Sequence, residues 1–269
     1  MPDVSVIISF YNKIDYLKLL LAGFERQSFR SFEIIIGDDG SKEDVTEEIE
    51  KLTTKLSFPL KHLWQEDKGF RKNKMLNKTI TAAAAPYLIF IDGDCVPHKE
   101  FVKEHTNAAQ GGFCLTGRRV NLSSKITADL SEKNVSEGFL EKSLSLIPDG
   151  LFGNSYDVEK GFYFKSNILR NYFNKKKRGL LGCNFSIHKE EILKINGFDE
   201  RYEAPSIGED TDIQFRLELN GVKIKSLNNI AVQYHLYHKL QERPQINLNL
   251  FEEVKKSRVA FTPYGIIKQ

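Results

Sequence analysis

The chain has 269 residues, 41% of them hydrophobic and 28% charged, with a formal net charge of +3 and a pI near 8.5. That is ample apolar content for the core of one large α/β domain or two small ones, and a charge too mildly basic to announce nucleic acid, though it suits a phosphorylated ligand or an anionic membrane surface. The start, MPDVSVIISFYN, carries an acid and lacks the basic opening of a secretory signal, and no apolar run approaches the ~20 residues needed to span a bilayer, so a cytoplasmic protein is expected.

VSVIISF, residues 4 to 10, is a β-branched run of the kind found in strands buried on both faces. YNKIDYLKLLLAGFERQS follows with Tyr16, Leu17, Leu20, Leu21 and Phe24 at helical spacing. FEIIIGDDGS (32 to 41) reads as a second buried strand ending in acids and a glycine turn. KEDVTEEIEKLTTKL is a polar-faced helix with acids near its start, where the macrodipole favours them. LKHLWQEDKG supplies a third strand and RKNKMLNKTITAAAA a third helix, stopped by Pro86 before the strand YLIFID. KEFVKEHTNAAQ is helical and GFCLTGR a further short strand. Such alternation predicts an α/β fold with a mostly parallel sheet flanked by helices, whose ligands bind outside the carboxyl ends of the strands.

The notable acids fall at those ends: Asp38 and Asp39, Glu66 and Asp67, and Asp92 and Asp94. One acidic strand end is an ordinary turn; three at the same sheet edge point towards a ligand. No GxGxxG fingerprint is present, because the first strand-to-helix turn, SFYNKID, has no glycine, and no Walker loop, because GFCLTGRR (112 to 119) has the GxxxxG spacing but Arg118 and Arg119 where Lys and Ser/Thr belong. Phosphate charge can instead be neutralised by a divalent cation on hard oxygen ligands, and Asp92 and Asp94 across Gly93 offer them. Glycine there leaves room for a diphosphate to approach. Cys95, Cys114 and Cys183 form no CxxC pair and read as free thiols, with Cys95 too soft a ligand for Mg²⁺ or Mn²⁺.

Taken in order, VSVIISFYNK, FEIIIGDDGS, KGFRKNKMLN, IFIDGD and GEDTDIQFRL resemble a family 2 glycosyltransferase of the GT-A fold over residues 3 to 238. The resemblance implies that Phe10, Tyr11 and Asn12 lodge the nucleobase and that Asp39 takes the uracil N–H, leaving Asp38 to cap a turn. It implies that Arg71 and Asn77, with Lys74 as a weaker candidate, contact the nucleoside and sugar diphosphate. Asp92 and Gly93 would face the ribose or donor sugar, and Asp94 would ligate Mn²⁺ or Mg²⁺.

In the second half, KKKR (175 to 178) is either a solvated loop or a surface for anionic lipid headgroups or a lipid-diphosphate acceptor. GLLGCNFSIHKEEILKINGFDERY offers a small-residue strand, a helix and a tight turn. GEDTDIQFRLELNG reads as a helix started at its acids and ended at Asn220-Gly221. Acids there can simply cap the helix. Within the resemblance, Asp210 takes the position of the general base that a weakly acidic sugar hydroxyl needs, Glu209 orients the acceptor, and Asp212 is structural. IAVQYHLYH (230 to 238) reads as an edge strand, and its aromatic-His pair resembles the metal-binding His of the branch containing galactosyl- and N-acetylgalactosaminyltransferases. That makes His235 the expected ligand and His238 the fallback. YEAPSIGED lacks a tryptophan that many relatives place before the triplet.

The expected organisation is a GT-A domain over 1–240, with a nucleotide-sugar half (1–120) and an acceptor half (121–240), followed by a C-terminal extension (241–269). The expected reaction is inverting, metal-dependent transfer of a hexose or N-acetylhexosamine from a UDP-sugar to a hydroxyl of a saccharide or lipid-linked acceptor, in surface polysaccharide synthesis, at the inner face of a membrane if peripheral contact is made. A sugar-phosphate nucleotidyltransferase and a non-catalytic sugar-nucleotide-binding protein are the alternatives.

Overall fold

The computed structural model describes residues 1–142, 146–176, 178–204, 209–239 and 245–268. The first half follows the alternation read from the sequence: β1 (Val4–Phe10), α1 (Ile14–Glu25), β2 (Phe32–Asp38), α2 (Glu43–Thr53), β3 (Leu60–Trp64), α3 (Lys72–Ala82) and β4 (Tyr87–Asp92). Next come β5 (Cys95–Pro97), α4 (Phe101–Asn107), β6 (Phe113–Thr116), β7 (Arg118–Asn121), α5 (Ser124–Asp129), α6 (Glu132–Ser136), α7 (Ile147–Phe152) and α8 (Asn167–Phe173). The chain continues through β8 (Asn184–His188), α9 (Lys189–Lys194), α10 (Glu209–Leu219), β9 (Lys223–Ser226), β10 (Val232–His235) and α11 (Gln245–Ser257).

Seven strands form one sheet in the order β3-β2-β1-β4-β8-β6-β9. All neighbours run parallel except β8, which is antiparallel to both β4 and β6. Side chains alternate across a strand, so β1 divides its apolar residues between two cores. Val6 and Ile8 pack with Leu17, Leu20 and Phe24 of α1 and Ile49 of α2 on one face. Ile7 packs with Leu76 and Ile80 of α3 and Ile213 and Leu217 of α10 on the other.

A second sheet of three strands, β5-β10-β7, stands beside the first and has its own core of Leu19, Val96, Val120, Val232 and Tyr234. Two expectations are corrected here. GFCLTGR is not one strand: it breaks at Gly117, and its two halves join different sheets. A Cβ at Gly117 would lie within 2.5 Å of the Asn184 side-chain atoms, whose Oδ1 faces His105 Nε2 and whose Nδ2 donates to Arg118 O and Ala231 O. Nor is the strand ending in His235 an edge; β10 is the middle strand, antiparallel to β5 and parallel to β7.

The tail packs onto the body. Phe251 of α11 meets Phe215 of α10 edge-on at 6.0 Å, and Asn196 Nδ2 donates to the carbonyls of Thr262 and Ile267. Among the described residues, no helix is long and apolar enough to cross a membrane.

Candidate active site

β4 lies next to β1 in the large sheet, and its exit turn carries Asp92 and Asp94 across to the small sheet. The Gly93 N–H donates to Ser9 O at 2.8 Å. A Cβ at Gly93 would sit 3.1 Å from both Ser9 O and the Phe10 ring, a tight fit against the end of β1. Close packing within the chain therefore favours glycine here, whatever approaches from outside. Asp92 Oδ1 accepts hydrogen bonds from Ser9 Oγ and, at 3.0 Å, from Lys72 Nζ at the start of α3.

Asp94 faces the other way. Register places His235 opposite Cys95, and the Leu236 N–H donates to Asp94 O at 2.8 Å, which holds the carboxylate beside the exit of β10. His235 Nε2 is 3.4 Å and His238 Nε2 3.2 Å from Asp94 Oδ2, and the two imidazole nitrogens are 3.2 Å from each other. Ligand atoms about 2.1 Å from a common ion stand roughly 3.0 to 3.4 Å apart in octahedral or tetrahedral geometry, so this triangle fits a divalent cation. His238 Nδ1 lies 2.9 Å from Lys239 O. Donation there fixes the ring with Nε2 aimed into the triangle, where it donates to Asp94 when protonated and offers a lone pair to a cation when not, the outer hydrogen bond expected of a metal-binding histidine.

Burial alone would raise the Asp94 carboxyl, but hydrogen bonds from His235 and His238 outweigh it and hold the group well below the usual carboxylate range. Asp94, Cys95 and His235 also come within 4.8 Å of one another. Cys95 is the weaker third ligand: burial pushes its thiol well above the ordinary value, and its Sγ donates to Asp94 Oδ1. A protonated soft sulfur does not suit Mg²⁺ or Mn²⁺.

At the ends of β1 and β2, Asp39 accepts from Gln65 Nε2 (2.6 Å) and the Arg71 N–H (2.6 Å). Burial raises its carboxyl above the ordinary range against those two hydrogen bonds. Tyr11 is half exposed and donates from its hydroxyl to Asp67 Oδ2, and Asn12, at φ 54°, accepts the Lys42 N–H on its Oδ1. Arg71 guanidinium Nη2 donates to Glu66 O, beside Asp39. Asp38 is fully buried, accepts from Ser41 and faces His62, as a turn-capping residue does.

Two residues expected at the donor are buried. The Phe10 ring packs into the main core, leaving its backbone at the end of β1. Asn77 is also buried: Nδ2 donates to Phe198 O and Glu200 Oε1, and Oδ1 accepts the Phe198 N–H. Its amide locks α3 to the loop before α10 and has no free donor for a diphosphate.

That loop matters because it aims α10. Asp212 and Asp210 are about 200° apart around a helix and point in opposite directions. Asp212 is buried with Arg216, the largest fully buried side chain, whose Nη1 donates to Ile195 O and Gly197 O. Asp210 points out towards Gly182, where a Cβ would come within 3.2 Å of its own Cβ. Asp210, Gly182, Lys72, Asp92 and Ser9 line one pocket, joining the end of β4 to the start of α10. The Glu209 side chain and residues 205–208, including the start of the GED triplet, lie outside the described residues. Lys72 was not singled out in the sequence; the signal was only a lysine following Arg71 in a basic helix start.

The geometry thus gathers a cation-sized triangle, a carboxylate pair flanking a glycine and an outward aspartate on a pinned helix. Residues 5–176, more than half of the chain, match the family described as glycosyl transferase family 2. The chain belongs to glycosyltransferase family 2. A second family, the N-terminal domain of galactosyltransferase, matches residues 164–239 and takes in Asp210, His235 and His238. Among family members, the chain is 26% identical over 248 residues to chondroitin synthase of Escherichia coli, covering 87% of this chain and 35% of that one. It is 29% identical over 232 residues to validoxylamine A glucosyltransferase of Streptomyces hygroscopicus subsp. jinggangensis, covering 82% of this chain and 53% of that one. The chain therefore spans between about a third and a half of these relatives. The fold is that of Staphylococcus aureus TarS 1–349 in complex with UDP-GlcNAc (TM-score 0.59, 20% identity, 90% of this chain and 60% of that chain). It is also that of a Pyrobaculum calidifontis mannosyltransferase in complex with GDP-Man and Mn²⁺ (TM-score 0.58, 14% identity, 88% and 58%). This is the GT-A glycosyltransferase fold.

Proposed function

We propose that this family 2 chain is an inverting, metal-dependent transferase moving a hexose or N-acetylhexosamine from a UDP-sugar to a hydroxyl of a saccharide or lipid-linked acceptor. The observation that carries it is the convergence of Asp94 Oδ2, His235 Nε2 and His238 Nε2 within 3.4 Å, with Asp210 on the pocket that also holds Asp92. TarS complexes with UDP and UDP-GlcNAc, and the polysaccharide synthases among the relatives, support a UDP-linked donor and a saccharide acceptor.

Asp94, His235 and His238 would hold Mn²⁺ or Mg²⁺. When bound, such an ion supplies Lewis acidity towards the diphosphate leaving group. Asp39, with free lone pairs beyond its bonds to Gln65 and Arg71, accepts the N–H of the base, while Tyr11 and Asn12 border the nucleoside. Lys72, paired with Asp92, lies at the sugar end of the pocket, where it offers a positive charge to a donor oxygen. Asp210 removes the proton of the acceptor hydroxyl as the new glycosidic bond forms, and Glu209 is assigned the orientation of the acceptor. One displacement at the anomeric carbon, with the base opposite the leaving group, inverts its configuration. Residues 1–120, joined by His235 and His238 at the cation, serve the nucleotide sugar and the rest of 121–240 the acceptor, with α11 bracing α10 through Phe251 and Phe215.

The test is a panel of UDP-sugars with Mn²⁺, Mg²⁺ or chelator, scored for UDP release. Release with one donor that a chelator stops and Mn²⁺ restores is the expected result. Pyrophosphate release instead of UDP, or UDP binding without turnover with any acceptor, would overturn it.

A further inference from the structure

Helix α8, NILRNYF, is turned inside out. Ile168, Leu169, Tyr172 and Phe173 share one face at i, i+1, i+4 and i+5, and that face is in solvent: Ile168 is 81% exposed and Tyr172 66%. The side facing the protein is held by a charge. Arg170 donates from Nη1 and Nη2 to both oxygens of buried Glu104 on α4 (3.0 and 2.7 Å), from Nε to Phe164 O (2.6 Å), and lies over the Tyr163 ring. The far end is pinned too, since Asn174 Nδ2 donates to Asn228 O and its Oδ1 accepts the Asn228 N–H. A collapsed loop would bury its apolar residues; here polar anchors at both ends present them outward.

The sequence through and after the helix is basic. From residue 160 to 189 the sequence contains no Asp or Glu, but has Lys160, Lys165, Arg170, Lys175, Lys176, Lys177, Arg178 and Lys189. Lys165, Lys175 and Lys176 are exposed, and Lys175 Nζ stands 5.9 Å from the Tyr172 ring. Lys177, the third member of the KKKR run, lies outside the described residues. An exposed apolar helix face edged by lysines is what an interfacial element needs, with aliphatic and aromatic groups entering the acyl boundary and lysines resting on anionic headgroups.

We propose that α8, with exposed Lys165, Lys175 and Lys176 beside it, forms a docking surface for an anionic lipid membrane. The basic run is followed within four residues by Gly182, which lines the pocket with Asp210, so a docked chain holds its acceptor side towards the bilayer. Docking requires neither donor nor metal, and its failure would leave the transferase reading intact.

The experiment is cosedimentation of the full chain with vesicles of phosphatidylcholine alone or with about 30 mol% phosphatidylglycerol. Binding to the anionic vesicles only, released by raising salt to about 0.5 M, is expected. Lys175→Gln with Lys176→Gln should weaken it by about fivefold per charge. Ile168→Asp should abolish it while circular dichroism and UDP-Mn²⁺ binding stay unchanged. Absent binding, or equal binding to both vesicles, would overturn the proposal. So would a concentration-dependent dimer in lipid-free solution that Ile168→Asp dissociates, which assigns the face to a second copy. The salt and lipid dependence of the unaltered chain decides the matter even where a variant folds poorly.

Discussion

His238 Nε2 lies 3.2 Å from His235 Nε2, close enough that two N–H groups could not both point into the gap. With Asp94 Oδ2 as the third corner, 3.4 Å from His235 and 3.2 Å from His238, the proposed cation would draw on both imidazoles. His235→Ala and His238→Ala should each weaken Mn²⁺ binding by at least tenfold in the presence of UDP, measured by calorimetry. Unaltered Mn²⁺ affinity in His238→Ala would return the site to Asp94 and His235 alone.

Asp210 makes little use of its carboxylate internally, with one long contact to the Gly182 N–H at 3.4 Å and one from Thr211 Oγ1 at 3.3 Å. Asp210→Asn keeps the shape and removes the base. Transfer should fall by about 10² to 10⁴ while the Kd for UDP-sugar changes less than about threefold. Single-turnover transfer beside donor binding separates the two, and retained transfer would remove Asp210 from the chemistry.

How far the sequence alone reached depended on the range of the interaction. The strands of the large sheet were legible because Val4, Ile7, Ile34 and Ile89 lie in short β-branched runs between turn residues, a local signal. The small sheet was not. β5 has three residues and pairs with β10 at 232–235, more than a hundred residues on, and β10 in turn pairs with β7 at 118–121, so no local pattern announces the pairing of His235 with Cys95. Asp92, Asp94 and Asp210 stood out because a carboxylate at a strand or helix terminus is visible in sequence. The burial of Phe10 and Asn77 was not legible because position in a motif says nothing of burial: one ring fills the core, and the other's amide is saturated by Phe198 and Glu200.

Asn77→Ala tests whether that amide serves the fold or the donor. It leaves the buried Phe198 N–H without its acceptor, so stability should drop by about 1–3 kcal/mol in urea unfolding. Donor affinity of the folded fraction should stay near the unaltered value. A donor Kd raised tenfold with no loss of stability would restore Asn77 to the donor site.

His105 sets an acid limit on the fold. Its ring is fully buried between Ser186 Oγ (2.7 Å) and Asn184 Oδ1 (3.0 Å), and burial lowers its pKa from 6.5 to about 4, against the Asn184 hydrogen bond. Above pH 6.5 the imidazole is neutral in both folded and unfolded chains and adds no pH dependence. Between 6.5 and about 4 the unfolded chain binds the proton and the folded chain does not, so stability falls as pH falls, by on the order of 3 kcal/mol across the window. The carboxyls held low in the fold, such as Asp199 beside Arg201 and Glu33 beside Lys61, lose their contribution at lower pH still. His105→Gln keeps a hydrogen-bonding side chain without the titration. It should therefore be less stable at neutral pH but lose less stability between pH 6.5 and 4, by close to one proton in the slope of urea-unfolding free energy against pH. Parallel curves for the two proteins would show that His105 is not the group responsible.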